Sequence, residues 1–131
     1  GGLTLEQIYA LFPNLQERSA SQGTKLSGGE QQMLAIARIL RTGATFLLLD
    51  EPTEGLAPVI VQQIGATIRK LREQGFTILL VEQNFPMACA LGDSVAVMDD
   101  GRVVHRGAMR ELAEDESLQQ RLLGLSLGAH A

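Results

Sequence analysis

Two short apolar runs, each followed directly by polar residues, constrain the fold of this chain more than any other feature. The first run, residues 46–49, is followed by an aspartate and a glutamate, and the second, residues 76–81, by a glutamate and two amides. Between them, residues 59–74 repeat apolar side chains at helical spacing, and Gly75 stands where a helix commonly ends. This order predicts a βαβ unit in which both apolar strands are buried and run parallel.

The rest of the chain adds helices and one hairpin to this unit. We predict helices over residues 4–12, 28–41, 85–91 and within 109–123, a polar surface loop over 16–25, and a β-hairpin over 94–105. The fold class is therefore predicted to be α/β, with mostly parallel strands, flanking helices and a C-terminal β-hairpin. Since ligands of open α/β sheets gather at the carboxyl ends of the strands, the polar strand ends form the first candidate site.

Composition narrows the possible partners. The chain has 131 residues, which suits one domain, and a net charge of −4, which argues against nucleic-acid binding through an overall basic surface. The single cysteine, Cys89, excludes an internal disulfide and favours a reducing cytoplasm. No apolar run approaches the roughly 18 residues of a membrane-spanning helix. We therefore expect any membrane role to come through a partner.

A Ser-Gly-Gly-Glu sequence opens the predicted helix over 28–41. Ser27 followed three residues later by Glu30 is the pattern of a capping box. Gly28 and Gly29 fall in the first turn, although glycine in a helix costs roughly 0.5–1 kcal/mol relative to alanine. We therefore expect another group to approach the bare backbone. An anion would suit this place, because backbone amides, a hydroxyl and the positive helix end together bind anions, and cap and anion site can be one structure.

Adjacent carboxylates end the first apolar run, and a polar triplet ends the second. Asp50 and Glu51 point in different directions if the strand continues, so one could hold a hydrated Mg²⁺ while the other polarises a water. A solvated acidic loop is the alternative. In the triplet, Gln83 can donate and accept hydrogen bonds without titrating, whereas Asn84 suits a helix N-cap in a simple strand exit.

Together the three segments resemble the ATP-binding subunits of ABC transporters. Residues 26–32 resemble the ABC signature, residues 46–51 resemble Walker B with its catalytic glutamate, residues 54–57 fall at the D-loop, and Gln83 falls at the switch position. The resemblance runs from about residue 3 to at least residue 107. It implies that residues 1–131 are the C-terminal part of a P-loop NTPase domain, with ATP and Mg²⁺ as cofactors.

The same resemblance implies a role for each candidate residue. Residues 27–30 would bind the γ-phosphate of ATP held by a second ATPase subunit, in a head-to-tail dimer whose two chains complete each other's pockets. Asp50 would hold Mg²⁺ through water, Glu51 would polarise the attacking water, and Gln83 could hydrogen-bond a γ-phosphate. Because Gln83 replaces the usual switch histidine, it would add no positive charge. Ala57 likewise replaces the usual D-loop aspartate.

Two short strings narrow the resemblance to one branch. Glu-Gly-Leu-Ala-Pro and Val-Glu-Gln-Asn resemble the smaller ATPase subunit of branched-chain amino acid importers, with urea and short-chain amide importers as the competing interpretation. This implies membrane permease subunits as partners, a solute-binding protein indirectly, no nucleic acid, and a cytoplasmic location on the inner face of the membrane. A DNA-repair or chromosome-type ABC ATPase and a non-catalytic remnant are further alternatives; a long heptad insertion in the complete gene would indicate the former.

The chain contains no G-x-x-x-x-G-K-[ST] sequence, the P-loop whose backbone amides and lysine grip nucleotide phosphates. In the family that motif lies upstream, so we interpret the chain as a fragment of a longer subunit, a truncated form of it, or the product of a degenerate open reading frame. We expect the 131-residue chain alone neither to bind MgATP tightly nor to hydrolyse it. Isothermal titration with MgATP checks this, and micromolar affinity would contradict it.

Overall fold

The computed structural model describes residues 1–20, 22 and 27–124. Along the chain its elements are α1 (Leu5–Leu11), α2 (Pro13–Glu17), α3 (Gly28–Arg41), β1 (Phe46–Asp50), α4 (Pro58–Glu73), β2 (Thr77–Val81), α5 (Phe85–Leu91), β3 (Ser94–Asp99), β4 (Arg102–Ala108), α6 (Met109–Glu114) and α7 (Glu116–Leu123). The predicted loop over 16–25 is wrong at its start, because α2 continues to Glu17. Half of its remainder, residues 21 and 23–25, lies outside the described residues, as does Leu26 of the signature segment.

The chain forms two compact units, Gly1–Glu82 and Gln83–Ala131. In the first unit β1 and β2 pair in parallel, with Phe46 opposite Thr77 at one end and Asp50 opposite Val81 at the other. The predicted βαβ unit is therefore confirmed, with α4 as its crossover helix. This register brings the carboxyl ends of both strands to the same edge of the sheet.

Helix α3 positions the signature segment, and its apolar spacing explains how. Met33, Ile36, Ala37 and Leu40 recur three and four residues apart, and all four are buried at 5% exposure or less. Full burial of a side chain such as leucine contributes roughly 1.5–3 kcal/mol. This face therefore anchors α3 in the first unit, and its predicted bounds are confirmed.

The β1–β2 sheet is buried on one side only. Leu47 and Leu49 are 1% and 6% exposed, as expected for an inward-facing pair of a strand. The opposite side carries four large apolar side chains: Phe46 (55% exposed), Leu48 (65%), Leu79 (53%) and Val81 (51%). The prediction of wholly buried strands is wrong for this side, because no described residue of the chain covers it.

The second unit builds on a hairpin with a two-residue turn. Asp100 and Gly101 have φ values of 50° and 76°, the left-handed pair that a type I′ turn requires and that an Asp-Gly sequence favours. Its core contains Phe85, Val97, Met109 and Leu112. Cys89 packs against this core, and burial raises the pKa of its thiol, which makes the thiol less reactive.

His105 of β4 and Gln119 of α7 both bury a polar side-chain atom, and they differ in whether that atom is hydrogen-bonded. In the described part of the chain the His105 Nε2 atom is buried without a hydrogen-bond partner. By contrast, the buried Gln119 amide donates to the carbonyl oxygens of Leu112 at 2.8 Å and Ala113 at 3.0 Å. None of the helices in the described residues is long and apolar enough to cross a membrane.

Candidate functional site

The start of α3 contains the predicted capping box. The Ser27 Oγ accepts a hydrogen bond from the Glu30 amide at 3.2 Å, and the Glu30 carboxylate accepts one from the Ser27 amide at 3.1 Å. The hydrogen bond from the Ser27 backbone lowers the pKa of Glu30. The helix therefore begins at a fixed residue, with Ser27 and Gly28 exposed to solvent at its positive end.

The two glycines of this turn have different surroundings. Gly29 is buried, and a Cβ atom there would overlap the Ile60 Cγ2 of α4. Gly28 is exposed, and a Cβ atom there would lie 3.2 Å from the Leu56 Cδ2. The expected close approach to bare backbone is thus made at Gly29 by α4. Phosphate binding by residues 27–30 stays a prediction, with Ser27 and Gly28 as the exposed positions.

Asp50 and Glu51 occupy the carboxyl end of β1. Asp50 is the last residue of the strand and is exposed. Glu51 follows with a φ of 46°, in the left-handed region that residues other than glycine rarely adopt. Its amide donates to the Val81 carbonyl at 2.8 Å, so the pairing with β2 continues one residue past the strand. Strained backbone of this kind persists where the surroundings enforce it, often at functional sites.

Contacts from three directions fix the turn that follows. The Glu54 amide donates to the Glu51 carbonyl at 3.2 Å, and the Gln32 Nε2 donates to the Pro52 carbonyl at 3.0 Å. The buried Thr53 hydroxyl donates to the Glu82 carboxylate at 3.0 Å, which joins the ends of β1 and β2. Sequence reasoning missed Gln32, Thr53 and Glu82 as supporting residues, because their partners lie 20 or more positions away.

Neighbouring carboxylates set the ionisation of Glu51. Repulsion from Glu54 is the main cause that raises the pKa of Glu51, followed by desolvation and by the charges of Asp50 and Glu82. Such a concentration of negative charge suits a cation, and a raised pKa suits a carboxylate that accepts a proton. In the described residues no group of three or more His, Cys, Asp or Glu side chains could hold a metal ion by itself. A Mg²⁺ here would take its remaining ligands from water and phosphate, as this ion commonly does.

Replacing Glu54 by glutamine is expected to lower the pKa of Glu51, because the largest repulsive charge is removed. The ionised form of Glu51 would then persist to lower pH. Titration of the Glu51 side-chain carboxyl by ¹³C NMR measures this midpoint directly. Glu73→Gln, an exposed change at the end of α4, is the control that should leave it unmoved. An unchanged midpoint in Glu54→Gln would contradict the assigned cause.

Gln83 lies in the bend between β2 and α5 and is exposed. The next residue, Asn84, caps α5 by accepting a hydrogen bond from the Met87 amide at 3.2 Å, so the simpler interpretation of Asn84 is confirmed. Gln83 begins the second compact unit, whereas Asp50 and Glu51 belong to the first. The role of Gln83 beside a γ-phosphate stays a prediction.

Comparison with known proteins identifies the family. The ABC transporter family model matches residues 4–54, which include the start of α3 and the end of β1. The chain is 43% identical over 120 residues to the high-affinity branched-chain amino acid transport ATP-binding protein BraG of Pseudomonas aeruginosa, covering 92% of the chain and 52% of that protein. It is 41% identical to the branched-chain amino acid transport ATP-binding protein LivF of Archaeoglobus fulgidus, covering 87% and 49%.

A more distant relative is also an ATP-binding protein, and a solved ATP-binding cassette has the same fold. The phosphate import ATP-binding protein PstB of Thermotoga maritima is 38% identical, over 80% of the chain and 41% of that protein. The ATP-binding cassette MJ1267 superposes with a TM-score of 0.74 at 23% identity, over 88% of the chain and 48% of its own length. The chain thus spans about half the length of the relatives it matches. These matches place it among the ATP-binding proteins of ABC transporters.

Proposed function

We propose that this chain is part of the ATP-hydrolysing subunit of an ABC importer, and that residues 1–131 are one portion of its ATPase domain. One observation supports the proposal most strongly. Glu51 follows Asp50 at the end of β1, in a strained turn, with its pKa raised by neighbouring carboxylates. A carboxylate with a raised pKa, on a backbone held by hydrogen bonds to its neighbours, suits a general base that activates water.

The residues divide the work of phosphoryl transfer between two places. Asp50 would hold Mg²⁺ through water, and Glu51 would accept hydrogen bonds from the attacking water and take its proton. A bound Mg²⁺ would supply positive charge to the phosphate oxygens. At the start of α3, Ser27 and the amide of Gly28 would bind the γ-phosphate of ATP held by a second subunit. Gln83 would add a neutral hydrogen bond to a γ-phosphate.

In this proposal the α3 start and the carboxyl end of β1 contact different ATP molecules, so a second ATPase subunit is required. We infer a head-to-tail dimer of ATPase subunits, in which each α3 start faces the nucleotide of the other subunit. Since a phosphate at the α3 start is bound only when the second subunit brings it there, dimer closure would control hydrolysis. Membrane permease subunits would hold the dimer on the cytoplasmic face of the membrane, with a solute-binding protein acting through them and no nucleic acid involved.

Branched-chain amino acids are the solute class we propose. The two relatives at 41–43% identity carry that solute in their names, although the phosphate import protein PstB follows at 38%. The margin is small because the permease and binding protein, rather than the ATPase, contact the solute. Urea or a short-chain amide is the competing solute.

The complete subunit, reconstituted with its permease in vesicles, tests the proposal. We expect MgATP hydrolysis that rises when the solute-binding protein is loaded with leucine, and a smaller response to urea or acetamide. Stimulation by urea or acetamide instead would replace the solute assignment. An absence of MgATP hydrolysis under all conditions would contradict the ATPase assignment itself.

A further inference from the structure

We propose that Gln32 is a positioning residue for Glu51 and that it links the start of α3 to the catalytic carboxylate within one subunit. The inference rests on the proposed ATPase function, because it gives Gln32 a part in the same reaction. It starts from a single contact that neither helix capping nor strand pairing requires. That contact is the hydrogen bond from the Gln32 side chain to the Pro52 carbonyl, at 3.0 Å and partly buried.

The position of Gln32 along α3 is the first argument. It lies in the second turn of the helix, five residues after the N-cap Ser27. The capping box fixes the first turn, and the buried residues from Met33 onward fix the rest of α3. The Gln32 amide therefore extends from a rigid element, and its contact with Pro52 is set by the packing of α3 in the first unit.

The position of Pro52 is the second argument. Pro52 is buried and directly follows Glu51, whose φ of 46° is unfavourable for a residue with a Cβ atom. Such a backbone conformation persists only when surrounding contacts over-determine it. The Val81 carbonyl and the Glu54 amide bond the backbone of Glu51 itself. Gln32 fixes the next peptide group, and it does so from α3 rather than from the sheet or the turn.

In the proposed dimer, the α3 start and Glu51 of one subunit contact two different ATP molecules, so a contact between them connects the two sites. The α3 start contacts the nucleotide of the partner subunit, whereas Glu51 acts on the nucleotide of its own subunit. A shift of α3 on meeting a γ-phosphate would move the Gln32 amide and with it the Pro52 carbonyl. Gln32 thus gives a direct mechanical connection between the two ATP sites of the dimer.

Gln32→Met in the complete subunit tests the inference. Methionine keeps the length and helix propensity of glutamine and removes the amide donor. We expect kcat for ATP to fall about 10- to 100-fold, the size of effect that small misplacements of reacting groups produce. KM for ATP should stay within the error of wild type, and the melting temperature should stay well above the assay temperature. Gln62→Met, the same change at an exposed position of α4, should match wild type.

A double-mutant cycle separates positioning from a general structural role. If Gln32 acts through Glu51, then Gln32→Met should leave the slow single-turnover rate of Glu51→Gln unchanged, because the group it positions is already absent. An equal fold-loss in both backgrounds would overturn the inference, as would a wild-type kcat in Gln32→Met.

A second variant, Gln32→Glu, keeps the inference testable if Gln32→Met does not fold. Gln32→Glu retains shape and polarity and loses the donor when ionised, so it should reproduce the fall in kcat with an unchanged KM. If both variants lose the folded state, Gln32 is structural and the inference is overturned. If the wild-type subunit does not hydrolyse MgATP, the proposed function is contradicted instead. Wild-type hydrolysis is measured first, so the two outcomes are distinguishable.

Discussion

Replacing Glu51 by glutamine in the complete subunit is expected to lower kcat for ATP by about 10²- to 10⁴-fold, the range that loss of a general base produces. Glutamine has the same shape and can still hydrogen-bond a water, but it cannot accept the proton of that water. ATP-driven dimer formation should persist, because Ser27 and Gly28 are untouched. Phosphate release measures the first effect, and size-exclusion chromatography with and without MgATP measures the second.

Glu73→Gln is the matched control for Glu51→Gln. It makes the same chemical change at an exposed position in the last turn of α4, and it should leave both turnover and dimer formation at wild-type levels. Unchanged turnover in Glu51→Gln would remove Glu51 from the proposed mechanism. Loss of the ATP-driven dimer together with turnover would show that its carboxylate is needed for assembly rather than for chemistry.

Replacing Gly29 by alanine is expected to destabilise the folded subunit by about 1–2 kcal/mol. The new methyl group would overlap the Ile60 Cγ2, an atom that cannot rotate away freely because isoleucine is branched at Cβ. Overpacking of this kind costs about 1–3 kcal/mol, which outweighs the gain of up to about 1 kcal/mol in helix propensity. Urea unfolding followed by circular dichroism measures the difference.

Two further variants make the cause of the Gly29→Ala effect testable. Gly28→Ala should leave stability unchanged or raise it, since its neighbour is the flexible end of Leu56. In an Ile60→Ala background the obstructing atom is gone, so Gly29→Ala should become neutral or stabilising. An equal loss in both backgrounds would show that the contact with Ile60 is not the cause.

Features set by local sequence could be predicted closely. The bounds of α3 follow from Ser27 and Glu30 at one end and from the spacing of apolar residues along the helix. The Asp-Gly turn of the hairpin and the N-cap of α5 at Asn84 are equally local. In each case the residues that decide the structure lie within a few positions of one another. The family resemblance likewise depended on short contiguous segments.

Several features set by contacts between distant segments could not be predicted. Four consecutive apolar residues indicated a buried β1, but burial depends on what covers each side of the sheet, and residues 1–20, 22 and 27–124 leave one side exposed. The need for glycine at Gly29 comes from Ile60, a residue of another helix. The hydrogen bonds from Gln32 and Thr53 likewise join residues far apart in sequence, so no local spacing reveals them.

The left-handed backbone of Glu51 lowers stability, whereas the proposed mechanism needs its carboxylate for activity. Glycine at this position would adopt a φ of 46° without strain and would also remove a carboxylate from a repulsive cluster. If Glu51 is the general base that we propose, a search for thermostable variants would favour its loss and would enrich inactive proteins. Under this proposal, the chemistry of the Glu51 side chain outweighs the cost of its backbone conformation.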